Sequence, residues 1–229
     1  MNTVEMITDD NGNVLESNLL IKVTKRNYAE DIQAGRLYMK SLRYFRELEQ
    51  QGVGDEEEGL INTAPKGEIF WNGQKIGDVR NIRTYYDCPV FCTATVSLKK
   101  QKNGSIKYTI PLKLLREFML DKTADYVLMI INRNEFQKRI DEKMREKKIQ
   151  GFFGNVNYTD EKAHFSHEER YKAAFRKRME FAHQHECRLA LNLAIEDFYV
   201  LEIGDISDIT TFIPIFDNEH EMAIEVQYN

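Results

Sequence analysis

The densest group of chemically capable side chains in this sequence is His183-Gln184-His185-Glu186-Cys187-Arg188, followed at once by the apolar run Leu189-Ala190-Leu191. Polar groups entering an apolar segment lose hydration unless they find partners, and that marks a candidate site. If the segment is extended, alternation puts Gln184, Glu186 and Arg188 on one face and His183, His185 and Cys187 on the other. The first face offers an acid that can take a proton or stabilise developing positive charge, with an amide beside it to orient an acceptor. The second offers ligand types suited to zinc or another transition metal, without an obvious fourth ligand, and no metal is assigned. A plain edge strand, its polar groups in water and Arg188 paired to a carboxylate, is the remaining reading of the same residues.

Other clusters carry less. His164 and His167 are three apart and lack the second histidine four positions on that zinc proteases need, so they read as solvated. Cys88 and Cys92 have three residues between them, not redox spacing, and Cys92 reads as a small buried hydrophobe. The acidic stretch Asp55-Glu56-Glu57-Glu58-Gly59 lacks the pattern of a calcium loop and reads as a solvated loop. Arg170, Lys172, Arg176, Lys177 and Arg178 cluster around Tyr171 and Phe175; they read as the solvated face of a helix. With Lys162 and Arg188, this is also the best place for a phosphate-bearing ligand. No phosphate loop, G-x-S-x-G, H-R-D or G-x-G-x-x-G motif occurs, so hydrolase, kinase and Rossmann readings gain no support.

The elements that must position these groups can be read from pattern. Residues 18–24 predict a strand, 26–34 a short helix stopped by Gly35, and 36–39 another strand. Ser41 is placed to cap a helix through Glu49. Residues 51–59 predict a loop and 68–76 a hairpin around Asn72-Gly73. Residues 90–96 and 126–131 predict buried strands, and 105–110 a further strand followed by a helix opened by Pro111. A charged helix begins at Asn132 or Asn134 and ends near Lys148. Residues 151–157 predict a loop. Ser166 and Glu169 form a capping-box signature that predicts the longest helix, to about Phe181. Strands follow at 187–193, 198–203, 213–215 and 222–226. The unevenly placed helices argue for an α+β fold in a single domain over 1–229, with 51–85 as a loop or hairpin insertion.

The chain has 229 residues, 42% of them hydrophobic and 30% charged, which suits a folded domain. Its net charge of −5 argues against broad nucleic-acid binding through phosphates. No apolar run of membrane-spanning length occurs, and the first residues lack the basic and apolar regions of a secretory signal. Three cysteines suit a reducing cytoplasm, so a cytoplasmic location without a membrane partner is expected. The apolar stretches at Phe152-Phe153 and Phe212 to Phe216 are candidate partner surfaces or core, and a homodimer is left open.

Two segments resemble the ADP-ribosyltransferase superfamily. Leu20 to Tyr38 is similar to the strand, short helix and I-x-x-G-x-L that open the DNA-modifying and poly-ADP-ribose-type members; here Ile32, Gly35 and Leu37 carry it. Gln184-His185-Glu186 resembles the Q-x-E or E-x-E that opens a late strand in toxin-type members. The chain also resembles a bacterial and phage family with a terminal E-x-E-x-R strand, where Glu186 and Arg188 match and Gln184 replaces the first acid. The resemblance implies two small, mostly antiparallel sheets with peripheral helices, and NAD as a substrate held between them. It implies that Glu186 hydrogen-bonds the nicotinamide ribose and stabilises an oxocarbenium-like transition state, while Gln184 positions a macromolecular acceptor. Tyr38 would then stack on the nicotinamide, Lys22 or Thr24 would hold the ribose or amide, and Ser41 and Arg188 would complete the cofactor site. On that reading Glu186→Gln abolishes turnover and leaves the fold largely intact. The superfamily's opening strand usually offers His or Arg where this chain has Lys22 and Thr24. The implied alternative is therefore a non-catalytic nucleotide- or protein-binding member acting in phage–host conflict.

Overall fold

The computed structural model describes residues 6–8, 14–17, 19–49, 55–95, 99–100, 106–110, 125–215 and 222–226. It is a mixed α+β structure organised around one antiparallel sheet of eight strands. We number these in chain order: β1 Leu20–Thr24, β2 Arg36–Ser41, β3 Pro89–Thr95, β4 Tyr126–Ile130, β5 Gly151–Asn155, β6 Glu186–Leu191, β7 Phe198–Glu202 and β8 Thr210–Pro214. The order is β5-β6-β3-β1-β4-β8, with β2 also on β3 and β7 on β2.

The sheet forks at β3. Its first residues pair with β2, Val90 opposite Lys40 and Pro89 opposite Ser41. Its last residues pair with β1, Ala94 opposite Ile21 and Thr95 opposite Leu20. The middle of β3 lies in the gap, where Lys22 Nζ donates to the Cys92 carbonyl at 2.7 Å. A side chain thus supplies a hydrogen bond that no strand supplies, as a half-buried carbonyl requires.

Local chemistry explains the helices. Helix α1 (Arg26–Gln33) follows β1 and ends at Gly35, whose φ is 82°. A Cβ there would stand 1.8 Å from the Gly204 carbonyl oxygen, so both conformation and close approach require glycine. Helix α2 (Leu42–Glu49) starts where the Ser41 hydroxyl accepts from the Tyr44 amide at 3.2 Å. Helix α3 (Arg133–Lys147) is capped by the Asn132 side chain, which accepts from the Glu135 amide, and ends at left-handed Lys148. Phe136, Ile140 and Met144, spaced by four, bury one stripe of α3. That stripe packs with Cys187, Leu189 and Leu191 of β6 and Phe91 of β3 in the main core.

Two expectations are corrected. Residues 151–157 are not a loop: β5 pairs along its length with β6, from Gly151 opposite Leu191 to Asn155 opposite Cys187. The long helix over 166–181 is absent. In its place are 3-10 turns at Arg170–Phe175 and Met179–Gln184 separated by the two-residue strand Arg176–Lys177, which pairs in parallel with Asn157–Tyr158. The capping bond forms, with the Ser166 hydroxyl accepting from the Glu169 amide. Helix propensity then loses to tertiary demand, because an α-helix would not carry Arg176, Lys177 and Arg178 inward together.

The expected hairpin is longer than predicted. Leu60–Trp71 and Gln74–Tyr85 pair around Asn72-Gly73 as a ribbon. It is tied at its base, where the Phe165 amide donates to the Ile61 carbonyl and Asn62 bridges His164. Trp71 near its tip is 69% exposed. The helix expected after Pro111 and Phe216 of the terminal apolar stretch lie outside the described residues. Among the described residues, no helix is long and apolar enough to cross a membrane.

Candidate functional site

The polar residues of β6 sit on the face opposite the main core. Glu186 and Arg188 alternate with Cys187 and Leu189, which the core takes. Strand geometry begins only at Glu186, since His185 is left-handed with φ of 44°. The 3-10 turn before it nevertheless carries Gln184 to the same side. Lys177 Nζ donates to Gln184 Oε1 and to Glu186 Oε1, each at 2.6 Å.

Both oxygens of Glu186 are occupied. Oε1 accepts from Lys177, and Oε2 accepts from Arg188 Nε at 2.6 Å. The rest of the Arg188 guanidinium forks onto Glu58, at 2.8 and 2.7 Å, and Nη1 also donates to the Ala174 carbonyl. Lys177 Nζ lies 3.3 Å from Glu58. Two acids and two bases thus form a closed, buried quartet, and beside it the Tyr158 hydroxyl accepts from the Glu186 amide at 2.8 Å. Around it, Arg178 holds Asp55 and Arg176 holds Glu57.

The acidic loop is therefore not solvated as expected: Asp55 and Glu58 are fully buried. Nor do the bases at 176 and 177 form a solvated face; both are buried beneath those acids. The physical reason is mutual, since neither set can leave water without the other. Burial alone would raise the Glu186 pKa, but Arg188 and Lys177 outweigh it and hold the carboxyl down to about 2. Burial alone would lower that of Lys177, but Glu186 and Glu58 push it up to about 12. At neutral pH Glu186 and Lys177 therefore stay charged, and Glu186 has no proton to give.

The other predicted site residues are scattered. Lys22 plugs the fork, with burial pulling its pKa below the ordinary lysine range. Thr24 is buried at the end of β1. Tyr38 is exposed on β2 and stacks on Phe198 of β7, ring centroids 4.9 Å apart. Ser41 caps α2. Arg188 belongs to the quartet. The structure brings Gln184, Glu186 and Arg188 together, the last two by strand alternation and Gln184 by the turn before it, and of the proposed NAD contacts Arg188 alone belongs to this group. Glu186→Gln would remove a charge shared by two buried cations, so the structure sets a stability cost against the expectation that this variant keeps its fold.

The histidine face does not converge. His183 and His185 are exposed while Cys187 is in the core, and the described residues hold no group of three or more metal-ligating side chains. Burial pushes the Cys88 thiol up to about 12 and those of Cys92 and Cys187 up to about 11, so none is a thiolate at neutral pH.

Open space lies one strand away, beside β5. A hollow of about 870 Å³ separates α3 from residues 149–152. A second, of about 510 Å³, lies between β5 and the loop that leaves at Asn157–Tyr158 and returns at Arg176–Lys177. Neither is lined by Gln184 or Glu186. The second is walled by Phe152, Phe165, Tyr171 and Phe175, with Lys162 and Lys172 among its polar residues. Its usable sequence signal was the recurrence of aromatic and basic residues on both sides of a short gap, masked by assigning one side to a loop and the other to a helix. Comparison of the chain with protein-family models, with curated proteins and with solved structures finds no match.

Proposed function

We infer that this chain acts by binding: a nucleotide- or protein-binding member of an ADP-ribosyltransferase-like α+β fold in which the late-strand acid has become a structural ion. One observation carries this reading, the capture of both Glu186 oxygens by Lys177 and Arg188. A carboxylate that is to stabilise an oxocarbenium-like charge must face the reacting atoms with its negative charge uncompensated. Here two cations already compensate it, and substrate would have to break a buried pair to reach it.

A second reading, cleavage of NAD with transfer of ADP-ribose to a macromolecule, is favoured by the adjacency of Gln184 and Glu186, which Lys177 bridges. One experiment separates the two. Purified protein is incubated with NAD, and nicotinamide release is followed for the native chain and for Glu186→Gln, with thermal melts recorded for both. The binding reading expects no release from either. Release by the native chain that disappears in a still-folded Glu186→Gln protein overturns it. A role in conflict between phage and host, in the cytoplasm, belongs to the same proposal and is tested by expression during infection.

A further inference from the structure

The hollow of about 510 Å³ beside β5 lies in the size range, roughly 300–1,000 Å³, of sites that enclose small organic ligands. Its walls combine two chemistries. Phe152 stacks almost parallel on Tyr171, with centroids 4.0 Å apart and an interplanar angle of 11°. Phe152 nevertheless remains 45% exposed, so the pair offers a ring face to a further planar group. Between Phe152 and the strand end, Gly154 leaves bare backbone: a Cβ there would meet no atom within 4 Å. A flat ligand can approach that wall closely.

The rim is basic in a chain of net charge −5. Lys162 and Lys172 stand there, with Glu161 as the acid of the lining. Lys162 has no ion pair among the described residues. Among the described residues Lys172 pairs with Glu169, in an exposed ion pair of the kind that contributes little. Arg176 lies deeper, already bound to Glu57 and to the Glu161 carbonyl, and adds positive field without a free donor pair. A planar stacking surface next to exposed lysines is complementary to a heteroaromatic base joined to a phosphate.

We propose that the cleft between β5 and the 159–175 loop is a nucleotide-binding site, with Phe152 and Tyr171 stacking the base and Lys162 and Lys172 holding the phosphate. This deepens the binding reading and rests on it. The two fail separately: that reading falls to Glu186-dependent nicotinamide release, this site to the binding map below.

The test is calorimetry and thermal shift on the full chain with AMP, NAD, ADP-ribose, adenosine, pyrophosphate and a short single-stranded RNA. Native protein, Lys162→Glu/Lys172→Glu and Phe152→Ala are compared, with thermal melts as the folding control. The expected result is that at least one nucleotide binds, that adenosine and pyrophosphate each bind more weakly, and that both variants lower affinity about tenfold or more. RNA binding without mononucleotide binding, lost in the same variants, assigns the site to a nucleotide within a strand. Absence of binding by every nucleotide and by RNA, affinity unchanged in both folded variants, or adenosine or pyrophosphate binding as tightly as the nucleotide overturns the proposal.

Discussion

Over β6, Glu186 and Arg188 are closed in by Lys177 and Glu58, and both Glu186 oxygens accept from these bases. Over β5, one strand away on the same face of the sheet, Phe152 and Gly154 border an open cleft. The first region holds the residue types most often associated with catalysis, and they are fully used in holding the molecule together. The second holds residues that look like loop and surface, and has room for a ligand. A cluster of chemical groups becomes a site only where some of its valence is left for another molecule. Buried pairing removes that valence, because an ion inside a protein must be compensated by its neighbours.

The comparison breaks most readily at Arg188. Arg188→Ala should lower unfolding stability by about 3–5 kcal/mol, because Glu58 and Glu186 would remain buried with one cation between them. Urea denaturation measures this, and a loss below about 1 kcal/mol would mean the quartet is hydrated and exchangeable.

Acid should act next. The folded-state carboxyl of Glu186 titrates at about 2, against roughly 4.3 when unfolded. Its contribution is therefore full above the unfolded value and is lost as pH falls through the folded one. Lys177, raised to about 12, behaves oppositely: its contribution is full below roughly 10.4 and lost as pH rises past the folded value. Melting temperature against pH should fall steeply between about pH 4 and 2, and Glu186→Gln should flatten that limb.

The smallest effects belong to β5. Gly154→Ala should change stability by under about 1 kcal/mol, since the added methyl meets open space. A larger loss in the thermal melt would mean that the cleft wall is packed and not open.

Part of this was legible in the chain. Alternation placed Glu186 and Arg188 together, Ser41 and Asn132 announced their helices, and Asn72-Gly73 announced the hairpin. Each is a local effect, set by neighbours within a few residues. What was hidden is non-local. Glu58 and Arg188 are 130 positions apart, and Asp55 and Arg178 are 123 apart, so no window of sequence displays the pairing that buries them. The same pairing draws 176–178 inward and dissolves the helix that a capping box and apolar spacing predict.

Composition and periodicity by themselves determined an α+β chain, the positions of most strands and helix starts, and the co-location of the late-strand polar residues. Only the tertiary structure decided which of those residues are spent in ion pairs and which face a cleft. Secondary structure follows from interactions along the chain, whereas the fate of a charge depends on which distant ion the fold brings within hydrogen-bonding reach.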